Sequence, residues 1–503
     1  MNITMKNKNF IKLNIIMILL VFTSCDDILD ESPDNRTEID SLDKISELLV
    51  NAYPQALYAP FLEPMSDNAD DKSFSADQTD LNDFMYDWRD FFDDDEDTPT
   101  NYWNEVYEAI SQANQALASL DELGETNVNQ RGEALLCRAY GHYMLVNVFA
   151  KAYDPSTASS NLGIPYVTAP ETTLLPKYSR NTIKEVYDNI RADLVEGLKY
   201  LGNDLNYSEP KFHFTTKAAN AFASRFYLTV GEWDNVIKHS NIALGSGSGV
   251  ENIRDYENDY RLAGLSYSER SFRFTSSIEP ANLLLIVAES LYDRSHFRLR
   301  YQLSGDLARD LFFRGNAAGL RWSEGVFGQD LFYNVPKYDE YFRTTNQAAG
   351  IGNAYVQAPV LTTDETMFNR AEAYAMQGKL QLAVDDLNTL LSVKSQDYTS
   401  DDALSIDNVN ANFSIDPEFY SPFYDISADA LPMINVILST KRAVHYNEGL
   451  RWFDVKRHNI EVVHERDITP SVSETLVLSK GDNRRALQIP TEAQSRGIMP
   501  NIR

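Results

Sequence analysis

Apolar residues recur at three- and four-residue spacing through much of the chain, and this period places the first long helix at Trp103, Val106, Tyr107, Ile110, Leu117 and Leu120, with Asn114 in the same register. A second helix is predicted from about Gln130 to Phe149. A third begins where Thr182 and Glu185 form a capping box, and continues through Ile183, Val186, Tyr187, Ile190, Leu194 and Leu198. Two later segments share a register: Thr216 to Gly231 and Thr363 to Gly378 are each a helix closed by glycine and followed by a second amphipathic helix. Superposing them matches Ser224 with Ala371, Tyr227 with Tyr374, Trp233 with Leu380 and Val236 with Ala383. Small, aromatic and glycine residues at set offsets resemble the tetratricopeptide pattern of paired helices, although the pairs are not in uninterrupted tandem. The expected fold is mostly α, with tetratricopeptide-like helix pairs in a helical scaffold that carries a loop-rich, partly β insertion.

The periodicity fails in two places. From Asp26 to about Thr100 the chain is acidic and broken by Pro33, Pro54, Pro60, Pro64 and Pro99. Between about 250 and 360, Gly, Tyr, Phe and Arg are scattered around one apolar run, Leu283 to Val287, which reads as a short strand. The expected organisation is therefore a signal peptide at 1–24, an anchored tether and loops at 25–100, a helical scaffold at 101–250, a loop-rich ligand-binding region at 251–360 and a C-terminal helical region at 361–503. Residues 25–503 form one unit in this reading.

At the N-terminus, Lys6, Lys8 and Lys12 precede an apolar stretch from Ile15 to Phe22 that ends in Thr23-Ser24-Cys25. This reads as an export signal, too short to span a bilayer. The segment Phe22 to Cys25 resembles a bacterial lipobox, which makes Cys25 the expected site of lipidation and the membrane anchor, although Phe22 stands where leucine is usual. Beyond residue 24 the chain keeps 42 basic against 74 acidic residues, a net charge of −32. That field argues against nucleic acid as a partner, because phosphate binding needs a basic face. The other cysteine, Cys137, reads as a small buried apolar residue.

The motifs, in order, resemble the SusD/RagB family of outer-membrane lipoproteins. They include Ser24 to Asp30, Trp103 to Tyr107 with Asn114, Gly132 to Tyr140 running to Asn147-Val-Phe149, Gly163 to Tyr166, Thr182 to Tyr187, Thr216 to Ala219 with Ala223 to Leu228, and Asn369 to Tyr374 with Asp386 to Asn388. The most specific is Glu448-Gly-Leu-Arg451-Trp-Phe-Asp454-Val-Lys-Arg457. Departures are Thr440 and Val444, where the family usually has acidic residues, and an ending at Pro500-Asn-Ile-Arg503. The resemblance implies a single α-superhelical domain seated as a lid on a SusC-like TonB-dependent transporter barrel, binding a nutrient without catalysis. Asp26 and Asp27 resemble the family's signal for presentation on the cell exterior.

The residues themselves hold no frame that activates a nucleophile: there is no Gly-x-Ser-x-Gly elbow, His-Glu-x-x-His helix or phosphate loop. The seven histidines lack ligand spacing. The run Asp93 to Asp97 is rich enough in oxygen for calcium but lacks the Asp-x-Asp-x-Asp-Gly frame, so it reads as a solvated charge run with no cofactor. Gly245 to Gly249 reads as a flexible turn. A binding role needs aromatic faces and a few polar groups on a concave surface. Trp103, Trp233 and Trp452 lie at core spacing, which leaves Trp88 and Trp322, each beside an arginine, Arg89 and Arg321, in the two loop-rich regions. Tyr292, Phe332 and Tyr333 extend such a platform. The expected ligand is an oligosaccharide or polysaccharide. A peptide ligand, or an adhesin role for the helical repeats, are the alternatives.

Overall fold

The computed structural model describes residues 39–503 except 127, 172, 174–176, 203–206, 246 and 248. The expected signal peptide, the lipobox with Cys25 and the acidic pair Asp26 and Asp27 lie outside the described residues. Residues 42–503 form one compact unit.

The principal helices are α1 (Leu42–Leu49), α2 (Asp80–Tyr86), α3 (Pro99–Glu122), α4 (Asn129–Phe149), α5 (Ile183–Tyr200), α6 (Thr216–Thr229), α7 (Trp233–Leu244), α8 (Tyr267–Thr275), α9 (Thr363–Met376), α10 (Leu380–Lys394), α11 (Leu431–Val444) and α12 (Arg451–Arg457). Local chemistry sets their ends. Thr98 caps α3 by accepting from the Asn101 N–H, with Pro99 in the first turn where its missing donor is harmless. The Thr182–Glu185 capping box opens α5 as the sequence predicts. Gly231 and Gly378 close α6 and α9 at positive φ, and α7 and α10 fold back onto them.

Helix α3 packs on α4, α4 on α5, α6 on α7 and α9 on α10, and α9 also touches α6, α7 and α11. Helix α4 is buried on every face from Gly132 to Phe149, and α9 from Thr363 to Ala373. Charged residues on these two helices cannot reach water, so each needs a partner. Arg138 grips Asp193 of α5 through two 2.7 Å hydrogen bonds, and Arg370 grips Asp386 of α10 at 2.8 and 2.7 Å. Arg225 of α6 is bidentate on Glu365 of α9. Ser224 Oγ and Ser240 Oγ lie 2.8 Å apart where α6 and α7 touch.

The principal strands are β1 (Asn282–Glu289), β2 (Phe327–Gln329), β3 (Phe332–Asn334), β4 (Glu340–Asn346), β5 (Ile351–Thr362), β6 (Val462–Thr469) and β7 (Val472–Leu478). The apolar run at 283–287 is the buried β1, antiparallel to β5, which pairs with β4 on its other side. The pairs β2–β3 and β6–β7 are separate antiparallel ladders. The hairpin β6–β7 falls in the stretch assigned to helix from sequence. Its residues alternate burial along β6, with Val462 and His464 inside and Val463 and Glu465 outside, a period-two pattern too short to stand out.

The acidic run splits. Asp93, Asp94 and Asp95 are exposed, but Asp97 is inside, accepting from the Leu291 N–H at 2.9 Å while its Oδ1 has no partner. Burial pushes its carboxyl from the ordinary 3.8 up to about 7, and hydrogen bonds from Ser290 and Leu291 offset only part of this. Between pH 3.8 and about 7 the unfolded chain releases this proton while the folded chain keeps it, so this residue's contribution to stability falls as pH rises through that window. Asp97→Asn, which tolerates the residue's φ of +66°, is expected to be more stable than wild type by about 1–3 kcal/mol at pH 8, with the gap closing below pH ~4. Urea unfolding at both pH values checks this. A gap independent of pH would contradict it.

Candidate functional site

Two π-helical turns, Tyr256–Leu262 and Arg309–Phe313, bring the loop-rich region to a concavity of about 520 Å³. Such widened turns are rare in helices and concentrate at functional sites. The first contributes Arg261 and the second Phe312 and Phe313, while Arg270 comes from α8 and Gln396 from the chain just after α10. The floor is the segment Arg321 to Val326.

Backbone pairing fixes that floor. The Ser323 N–H donates to Lys394 O at 2.8 Å, and the Gln396 N–H donates to Arg321 O at 2.9 Å. Gln396 Nε2 adds a 2.8 Å bond to Trp322 O. Trp322 Nε1 donates to Leu311 O at 3.0 Å, tying the floor to the second π-turn. Phe312 turns inward against Tyr446, whereas Phe313 is 52% exposed, with its ring 5.7 Å from that of Tyr333.

The charges are arranged unevenly. Arg261 is engaged, donating from Nε to Glu257 at 2.6 Å and standing 3.2 Å from Asp397. Hydrogen bonding from Arg261 holds the Glu257 carboxyl down at about 2. Arg270 meets only carbonyls, Leu265 O at 3.0 Å and Ser323 O at 3.4 Å, and burial lowers its pKa. Arg321 is exposed, and its guanidinium has no hydrogen-bond or ion-pair partner among the described residues. The one carboxylate on the wall, Glu324, is 5% exposed and faces Lys337, whose Nζ lies 2.9 Å away.

Of the residues expected to bind ligand, Arg321 and Trp322 share this concavity and Tyr333 adjoins it through Phe313. The others lie elsewhere. Trp88 and Arg89 line a separate depression of about 640 Å³ with Asp90, Asp482, Arg484 and Arg503. Trp88 is 3% exposed, with Nε1 donating to Met65 O at 2.8 Å and its ring stacked on His464 at 4.5 Å. Arg89, Arg484 and Arg503 are each paired there, with Asp87, Asp482 and Asp90. Tyr292 is a core residue whose hydroxyl donates to Asn447 Oδ1 at 2.6 Å. Phe332 sits under the Lys72 ammonium, 5.3 Å from its ring centre. Trp322 itself is only 6% exposed, so the ring with a free face is Phe313. Sequence reasoning passed over Arg261, Arg270 and Phe313; the doublet Phe312-Phe313 before Arg314 was the available signal.

Residues 27–228 match the SusD-like family, described as starch-binding and associating with the outer membrane. The fold carries the likeness across the rest: a SusD superfamily protein from Bacteroides thetaiotaomicron is 18% identical, with 92% of this chain and 100% of that one covered at a TM-score of 0.62. The family match is to residues 27–228, and the fold of the chain is that of the SusD superfamily. A putative sugar binding protein from Bacteroides vulgatus is 19% identical, covering 93% of this chain and 99% of its own at a TM-score of 0.63. A SusD-like carbohydrate binding protein from the same species is 16% identical over 90% of this chain and 96% of its own, at 0.59. No curated protein sequence matches the chain. The mostly α fold expected of a SusD-like protein is present, with the small sheets in the 251–360 region, in a short pairing of Asp70–Asp71 with Tyr301–Gln302 and in the 462–478 hairpin.

The stretch 448–457, singled out in the sequence as a motif, is a structural clamp in this SusD-like fold. Glu448 pairs with Lys337, Arg451 with Asp67, Asp454 with Lys441 and Arg457 with Glu372. Among the described residues no group of three or more His, Cys, Asp or Glu side chains is arranged to hold a metal, and no helix is long and apolar enough to cross a membrane.

Proposed function

We propose that this SusD-like protein is a lipid-anchored outer-membrane protein that captures a saccharide in the 321–326 concavity and passes it, chemically unchanged, to a TonB-dependent barrel transporter. The observation that carries the reading is the exposed Phe313 ring in the same concavity of about 520 Å³ as the unengaged Arg321 guanidinium. A flat ring covers the apolar face of a sugar while hydrogen-bond donors at its rim fix orientation. The family match and the sugar-binding relatives of the same fold support the ligand class. The lipobox-like Cys25 and the family's association with the outer membrane support the location.

Calorimetric titration of residues 26–503 against a panel of oligosaccharides is the direct test. Phe313→Ala removes an exposed ring and leaves the core intact, so it is expected to weaken saccharide binding about tenfold or more with an unchanged melting temperature. An unchanged affinity would move the site elsewhere, and heat from peptides alone would replace the ligand class. Co-purification with a barrel transporter in mild detergent checks the hand-over.

A further inference from the structure

Arginines in this acidic protein are nearly all spoken for. Most stand within ion-pair distance of a carboxylate, as Arg138, Arg225, Arg370, Arg451 and Arg457 do. Others without one, such as Arg180 and Arg485, spend their donors on backbone carbonyls. Among the described residues Arg321 departs from this pattern, as does Arg343 on β4, and of the two only Arg321 lines the concavity, where Arg270 stands with it. Arg270 reaches two carbonyls, and Arg321 reaches nothing among the described residues.

The wall carries three guanidinium groups against the single carboxylate of Glu324, which Lys337 already faces. Glu257 and Asp397 stand against Arg261, so it is the Arg321 guanidinium that lines the concavity with its charge unpaired, in a chain that carries −29 as a whole. An unpaired guanidinium presents a planar fork of donors that matches carboxylate and sulfate oxygens two at a time. A neutral sugar leaves that fork facing hydroxyls, which exploit neither its charge nor its geometry. At physiological salt the Debye length is about 8 Å, so the negative surface beyond the rim repels an anionic ligand little once it has reached the concavity.

We propose that the concavity takes an anionic saccharide, its carboxylate or sulfate held by the Arg321 guanidinium with Arg270 behind it, while Phe313 covers an apolar sugar face. This rests on the saccharide reading of the same concavity and adds the ligand's charge to it.

The test titrates the anchored-domain protein, residues 26–503, with three oligosaccharides of equal length: an oligogalacturonide carrying carboxylates, a carrageenan oligomer carrying sulfates, and a neutral galactan. Wild type is expected to bind one of the acidic ligands at least about tenfold more tightly than the neutral one, as a charge-assisted hydrogen bond of about 1.5–3 kcal/mol implies. Arg321→Gln, at an exposed and unpartnered position, is expected to weaken the acidic ligand far more than the neutral one, so that the preference falls below about twofold, with an unchanged melting temperature. The acidic arm that responds names the group. Equal affinity for neutral and acidic ligands, or a preference that survives Arg321→Gln, overturns this inference and leaves saccharide capture standing. Silence with every saccharide overturns both.

Discussion

Arg457→Ala is expected to destabilise the protein by about 3–5 kcal/mol, more than any substitution in the concavity. The Arg457 side chain is 7% exposed and makes a bidentate contact with Glu372, which is 1% exposed on α9. It also lies 3.1 Å from Asp454 and donates to the Tyr424 hydroxyl at 2.9 Å. Removing it leaves Glu372 with only His458, 3.2 Å away. Burial by itself raises the Glu372 carboxyl, but Arg457 and His458 outweigh burial and hold it well below the ordinary 4.5. A carboxylate with a depressed pKa contributes stability above its unfolded value that is lost as pH falls, so the gap between wild type and variant narrows in acid. Urea midpoints at pH 7 and pH 4 measure both statements. Adding Glu372→Gln to Arg457→Ala is expected to recover part of the loss, because it removes the stranded charge. If Arg457→Ala cost under about 1 kcal/mol at pH 7, the clamp would not be a stabilising element.

Gly449→Val is expected to be nearly as damaging, for reasons of shape. Gly449 has φ of +71°, and a Cβ placed on it would stand 2.9 Å from the Ala59 Cα and 2.9 Å from Tyr58 Cδ2. Backbone cannot retreat as a side-chain tip can. Left-handed strain in a β-branched residue and overpacking each cost about 1–3 kcal/mol. The shift would also disturb the 2.8 Å bond from the Gly449 N–H to buried Glu63, which holds the 58–68 loops against the clamp. Thermal unfolding and limited proteolysis near residue 60 check this. A melting temperature within a degree of wild type would show that the close approach is relieved without cost.

Legibility in the sequence followed the range of the forces involved. Helices α3 and α5 and the pairs α6–α7 and α9–α10 were readable because an apolar stripe, a cap and a closing glycine are all local signals. Helix α4, expected from about Gln130 to Phe149 and found there, is buried on all faces from Gly132 onward. The 462–478 hairpin was missed because its alternation is short and its turn, Thr469 to Val472, carries no glycine. The stretch 448–457 was conspicuous as a motif, but its partners Asp67, Lys337, Glu372 and Lys441 are distant along the chain, and nothing local names them.

The candidate site shows the same division. Arginine beside tryptophan marked both Trp88 and Trp322, yet adjacency along the chain does not say which way a ring faces. Trp88 was drawn inward by Met65 O and His464, and Trp322 by Leu311 O. By itself the sequence determined the helical scaffold and the acidic balance of charge, since these rest on periodicity and composition. The tertiary structure alone decided that Phe313 keeps a free face and that Arg321 is left without a carboxylate, because exposure and pairing depend on what the rest of the chain packs against each side chain.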